Sequence, residues 1–245
     1  MNTWGAARML HHGPDGDLEW DKLPHVAVYR GHMSDRLNAS SNGGGTIHAY
    51  GVKTSYTSFG MTDGGDDAKP IVDAQGQSLS VAWRAIREGM HVGLVQTGIS
   101  AEPGTACFLA SVPSRRMYAE IVEQLVESGA TVLLGAGEKH FLPQGVQGRF
   151  GPGERVDGKN ILDLARSRGY VVVQSREELL ALPASTPRVL GVFARDATFN
   201  AAPEETLASE GKPLYEPGAP TVGEMTEVAL RILDAKKRQF LLVVE

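Results

Sequence analysis

The stretch Tyr118–Gly137, YAEIVEQLVESGATVLLGAG, places Tyr118, Ile121, Val122 and Leu125 at helical spacing, stops at Gly129, and passes at once into the apolar run Thr131–Leu134. A helix handed directly to a buried strand is the repeating unit of an α/β sheet. Working outward on the N-terminal side, the pattern predicts a helix over 78–88, capped by Ser78 and stopped by Gly89, followed by a strand over 91–96. On the C-terminal side it predicts helix 159–168, strand 170–173, helix 175–182, strand 189–193, helix 222–235 and strand 240–244. The fold class expected is therefore α/β, with a largely parallel central sheet flanked by helices. Residues 1–10 read as a short helix and His25–Tyr29 as a strand. The acidic segment 61–77 reads as an exposed loop, 135–158 as a surface excursion, and 194–220 as irregular.

With 245 residues and 42% hydrophobic content, the chain can bury a substantial core, and it is read as a single α/β domain over 1–245. A formal charge of −5 offers no basic field for nucleic acid. The one cysteine, Cys107, excludes an internal disulfide and a cysteine-based zinc site. No apolar run approaches the ~20 residues of a membrane span, and residues 1–12 lack the basic leader and apolar stretch of a signal peptide.

One segment stands apart from the alternating pattern. Ser40–Thr54, SSNGGGTIHAYGVKT, sets two hydroxyls before three glycines and ends on a glycine and a lysine. A P-loop needs glycine immediately before its lysine, and Val52 stands there instead of glycine, before Lys53. The Gly135-Ala136-Gly137 turn likewise lacks the last glycine of a dinucleotide fingerprint, because His140 occupies its place. A helix from about 42 to 50 would aim its open N–H groups at whatever Ser41 carries, and phosphate fits such a slot. Locally, Ser40 or Ser41 reads equally as a helix cap, with the glycines as a flexible entry.

Separated stretches resolve that choice by resemblance. Ala6-Ala7-Arg8 with Pro24-His25-Val26-Ala27, then Thr46 with Gly51-Val52-Lys53-Thr54, then Ser114-Arg115 with Tyr118, resemble in order the landmarks of the alkaline phosphatase family of metal-dependent phosphomonoesterases. So do Gln124–Gly129 with Leu133–Gly137, Asp157-Gly158-Lys159-Asn160, Val189–Phe193, Glu224–Leu230 and the closing Val243-Val244-Glu245.

The resemblance implies that Ser41 is a nucleophile forming a phosphoserine and that Arg115 clamps the phosphoryl oxygens. It implies two zinc ions and one magnesium ion, with Glu102, Thr105 and Glu245 as magnesium-site residues. Ser40 stands where the family has an aspartate. By the same resemblance, the first-strand aspartate would fall before Met1 and the zinc ligands after Glu245. The fold would then be incomplete and the chain alone inactive. Expected partners are small phosphomonoesters and inorganic phosphate, with a homodimer and a periplasmic or secreted location for the complete protein. The rival expectations are a non-catalytic, anion-binding scaffold of the same fold, and a nucleotide-binding ATPase dependent on Lys53.

Overall fold

The computed structural model describes residues 13, 16–25, 27–28, 31–200 and 202–245. The chain divides into two compact units, Met1–Gly31 and His32–Glu245. In the first, Glu19–Lys22 form a 3-10 turn in which the Leu18 N–H donates to the Asp21 carboxylate at 2.8 Å. The helix expected over 1–10 lies outside the described residues. So does part of the strand expected at 25–29, of which His25, Ala27 and Val28 carry no strand.

The second unit holds the α/β architecture. Its strands are β1 (His91–Ile99), β2 (Val132–Ala136), β3 (Val171–Val173), β4 (Val189–Val192) and β5 (Phe240–Val244). They form one sheet in the order β3-β4-β2-β1-β5, with every pairing parallel. Register runs His91 against Phe240 through Val95 against Val244 on one side of β1, and Gly93 against Val132 on the other. The alternation of side chains along each strand divides the core in two. Val92, Leu94, Leu133, Leu190 and Val192 face one apolar cluster, while Val95, Val132, Leu134 and Val189 face another.

The helices are α1 (Ser41–Tyr50), α2 (Val81–Arg87), α3 (Pro103–Ala106), α4 (Tyr118–Glu127), α5 (Ile161–Ser167), α6 (Arg176–Leu180), α7 (Glu204–Glu210) and α8 (Val222–Ala235). Ile121, Val122 and Leu125 of α4 pack in the first cluster. Met225, Val228, Ala229, Ile232 and Leu233 of α8 pack in the second. That disposition gives helices on both faces of a parallel sheet, as the alternating pattern required.

Three local expectations change. Ser80, not Ser78, caps α2: its hydroxyl accepts from the Ala82 N–H at 3.2 Å and donates to the Phe108 carbonyl. The segment 135–158 is not simply a surface excursion, because Glu138, Phe141, Leu142 and Arg155 within it are buried. Charged groups at 1–2% exposure are affordable only when fully partnered, and the loop's own N–H groups and neighbouring carboxylates do this. Residues 194–220 contain α7, which starts after Pro203 and ends at Gly211 in the left-handed region. Among its described side chains Leu207 is the one in the core, so no apolar stripe announces the helix.

Candidate functional site

The site sits beyond the carboxyl ends of the central strands. Order reverses there: β2 lies on one side of β1 and β5, reached last, on the other. Such crevices are where open parallel sheets bind ligands. Glu245 directly follows β5, its N–H donating to the Val95 carbonyl at 2.9 Å. Glu102 follows β1 and caps α3.

The three glycines of α1 have distinct physical jobs. A Cβ on Gly43 would meet Met33 Sδ at 2.5 Å and the Ser55 carbonyl at 2.8 Å, and one on Gly45 would meet the Pro103 carbonyl at 2.5 Å. Glycine at these positions lets α1 lie backbone-close to α3 and to the 55–58 loop. Gly44 faces open space. Thr46, fully buried, pins the helix by accepting from the Gly60 N–H at 2.8 Å and donating to the Asn42 carbonyl at 2.8 Å.

The capping question is settled by the two serines taking different roles. Ser40 is the N-cap: its Oγ accepts from the Gly43 N–H at 3.0 Å and donates to the Tyr56 carbonyl at 2.5 Å. Ser41 is thereby released from capping. It stands exposed on the first turn, where its Oγ accepts a hydrogen bond from Arg115 Nη1 at 3.0 Å. The other arm of the same guanidinium, Nη2, donates to Glu102 Oε2 at 2.5 Å. Arg115 keeps 37% of its side chain exposed, so a row Ser41–Arg115–Glu102 lies open to solvent at one end.

Glu245 closes the other end. Its carboxylate lies so near Gly104 that a Cβ there would stand 2.0 Å from Oε2. Burial, and then the neighbouring Glu102 carboxylate, push Glu245 above the ordinary carboxylate range, with Arg115 pulling the other way. Thr105, one position beyond Gly104, is buried within α3. Gly104, beside Thr105, lies against the Glu245 carboxylate.

Two carboxylates and oxygen chemistry suit a hard divalent cation such as magnesium. Among the described residues no group of three or more His, Cys, Asp or Glu is arranged to hold a metal ion, which is what zinc would demand. Lys53 is hydrogen-bonded to His32 beyond the left-handed cap Gly51, at the opposite end of a ten-residue helix from Ser41. Lys53 is not among the described residues that line the pocket holding Ser41.

Ser41 and Arg115 line an open pocket of about 870 Å³ that a second group of residues, Tyr56, Thr57, Gly65 and Asp66, also lines. This second group was not singled out from sequence, where 61–77 reads only as an exposed acidic loop. A further cavity of about 750 Å³ lies beyond β4 among Arg149, Arg195, Phe199 and Tyr215. Its lining holds no Ser, Thr, Cys or His, and its guanidiniums are engaged with Glu178 and Glu154.

A parallel α/β sheet carrying an exposed helix-terminal hydroxyl bonded to a guanidinium at its carboxyl edge defines a class of anion-competent proteins. The chain belongs to the alkaline phosphatase family, whose description, alkaline phosphatase, matches residues 3–245. It is 25% identical to the membrane-bound alkaline phosphatase of Bombyx mori over 99% of this chain and 49% of that protein. It is 27% identical to the tissue-nonspecific alkaline phosphatase of Gallus gallus over 100% of this chain and 52% of that protein. The chain thus spans about half the length of the curated relatives it matches. Among solved structures, the Thermus thermophilus alkaline phosphatase superposes with a TM-score of 0.66 at 29% identity, over 87% of this chain and 39% of that one. The alkaline phosphatase of the Antarctic bacterium TAB5 shares the fold, with a TM-score of 0.74 at 17% identity over 98% of this chain and 60% of that one. No described helix is long and apolar enough to cross a membrane.

Proposed function

We propose that this chain carries the nucleophile and the phosphate clamp of a phosphomonoester hydrolase that works through a phosphoserine at Ser41. The observation that supports it is the 3.0 Å hydrogen bond from Arg115 Nη1 to an exposed Ser41 Oγ at a helix N-terminus. Arg115 holds the hydroxyl in one direction and presents positive charge where phosphoryl oxygens would gather. The N–H groups of the first turn that Ser40 does not cap add partial positive charge on the same side.

In the first half-reaction the Oγ–P bond forms as the ester P–O bond breaks, and the leaving alcohol takes a proton. In the second, water attacks the phosphoserine, inorganic phosphate leaves, and the serine hydroxyl is restored. Glu102 is a positioning residue, fixing one arm of the guanidinium so that the other reaches Ser41.

The family resemblance implies two zinc ions and one magnesium ion, which would supply Lewis acidity to the serine and to water. Of the implied magnesium-site residues, Glu102 and Glu245 have the support of facing carboxylates at the sheet edge, whereas Thr105 has burial alone. Zinc is assigned to none of the described residues. Small phosphomonoesters as substrates, a homodimer, and a periplasmic or secreted location are carried over from the family in the same way.

The test is capture of phosphate. The chain is titrated with inorganic phosphate by calorimetry, then incubated with para-nitrophenyl phosphate and analysed by peptide mass spectrometry. Phosphate binding weakened about tenfold or more in Arg115→Ala, with phosphoserine at Ser41, supports the reading. Phosphate binding with no phosphoserine in the metal-supplemented chain favours the scaffold, and indifference to Arg115→Ala removes both.

A further inference from the structure

The pocket that holds Ser41 is much larger than a phosphate, and its described lining carries two charged side chains of opposite sign, Arg115 and Asp66. We propose that Asp66 is a specificity residue that favours phosphomonoesters whose leaving alcohol is cationic and disfavours those whose leaving group carries a second negative charge. The inference rests on the reading of Ser41 and Arg115 as the phosphate end of this pocket.

The position of Asp66 is built rather than incidental. The Asp63 carboxylate accepts from the Gly64 N–H at 2.7 Å, from Thr57 Oγ1 at 3.0 Å and from the Ser55 hydroxyl, which fixes the entry to the loop. Gly64 has no room for a Cβ, which would stand 2.7 Å from Thr57. The Gly65 N–H donates to the Pro113 carbonyl at 2.9 Å, tying this loop to the segment that ends in Arg115. The Ala68 N–H then donates back to the Gly65 carbonyl at 3.2 Å, closing a turn with Asp66 and Asp67 at its centre. Gly65 takes the left-handed φ of +78° that starts this turn.

Asp66 itself is exposed and forms no hydrogen bond or ion pair with the described residues. Its charge is therefore left for a ligand. A phosphoryl group anchored at Arg115 leaves the rest of the pocket to its ester substituent, and Asp66 is the one acidic residue in the described lining. The influence of that charge falls off over the ~8 Å screening length at physiological salt. Tyr56 and Thr57 offer that substituent neutral contacts.

Phosphocholine and its carbon isostere neohexyl phosphate have the same shape and differ by one positive charge, so their ratio of affinities isolates the effect. Both are titrated calorimetrically into the 245-residue chain, beside inorganic phosphate, at low and high salt. Phosphocholine is expected to bind about two- to fivefold more tightly than neohexyl phosphate at low salt, with the gap closing as salt rises. Asp66→Asn should abolish the gap. Asp67→Asn makes the same charge change one residue away, outside the pocket lining, and should preserve the gap. Equal affinities in the unmodified chain, or a gap that survives Asp66→Asn, overturn the assignment while phosphate binding stands. A chain that does not bind phosphate at all removes the assignment together with the reading beneath it.

Discussion

Arg115 and Arg155 put the same guanidinium to opposite uses. Arg155 has 1% of its side chain exposed and donates to the Ala119 and His140 carbonyls at 2.7 and 3.1 Å, to both oxygens of Asp157, and to Glu123 at 3.3 Å. Every direction of its fork is filled, and it locks the 138–160 loop onto α4. Arg115 makes two hydrogen bonds, one of them to a hydroxyl that a ligand could displace, and remains 37% exposed. A saturated arginine holds structure; one with donors to spare can hold an anion. Charge alone does not separate the two.

The sharpest break of this comparison is the pair of alanine variants. Arg155→Ala takes the side-chain donor from the Ala119 and His140 carbonyls, while Asp157 is 37% exposed and Glu123 keeps Lys159, so it is expected to cost about 2–4 kcal/mol in urea denaturation. Arg115→Ala should cost within about 1 kcal/mol by the same measure, since its ion pair with Glu102 is partly exposed. Its loss should appear instead in phosphate affinity. If Arg155→Ala were neutral, or Arg115→Ala unfolded the chain, the division between the two arginines would not stand.

The adjacent serines repeat the contrast on a smaller scale. Ser40→Ala removes the cap and its bond to the Tyr56 carbonyl, with an expected loss of about 1 kcal/mol in thermal or urea unfolding. Ser41→Ala should stay within about 0.5 kcal/mol, because an exposed hydroxyl contributes little to stability.

A separate effect concerns acid. His140 stacks on Tyr118 with ring centroids 4.5 Å apart, and its Nε2 is buried without a hydrogen-bond partner among the described residues. Burial, and then Lys139, push its pKa down from 6.5 to about 4. Between those values the unfolded chain binds a proton that the folded chain refuses. Stability therefore rises with pH across this window and is lost as pH falls from about 6.5 toward about 4. His140→Phe, which keeps a ring against Tyr118, should flatten that slope in denaturation curves collected over the same range.

Much of the architecture was readable in advance. Helix 222–235 and strand 240–244 match α8 and β5 to the residue, and the step from α4 to β2 lies within two residues of its expected bounds. Apolar periodicity is a property of neighbouring residues, so it survives in one dimension. α7 escaped because, among its described residues, only Leu207 anchors it, and the buried character of 135–158 escaped because Glu138 and Arg155 look solvated until their partners are known. The site was half legible. Ser41 and Arg115 were named by resemblance, and the structure brings them within hydrogen-bond distance across 74 positions of chain. That Gly104 lies against Glu245, and that Asp66 shares the pocket, had no one-dimensional signal.

The amino-acid sequence by itself determined the order of helices and strands, the apolar faces that build a parallel sheet, and the family to which the chain belongs. The tertiary structure alone decided which serine caps and which is free, which arginine is saturated and which is open, and what shares the nucleophile's pocket. The physical reason is that secondary structure follows from spacing over a few residues. The availability of a hydrogen-bonding group depends on what distant segments leave unfilled around it.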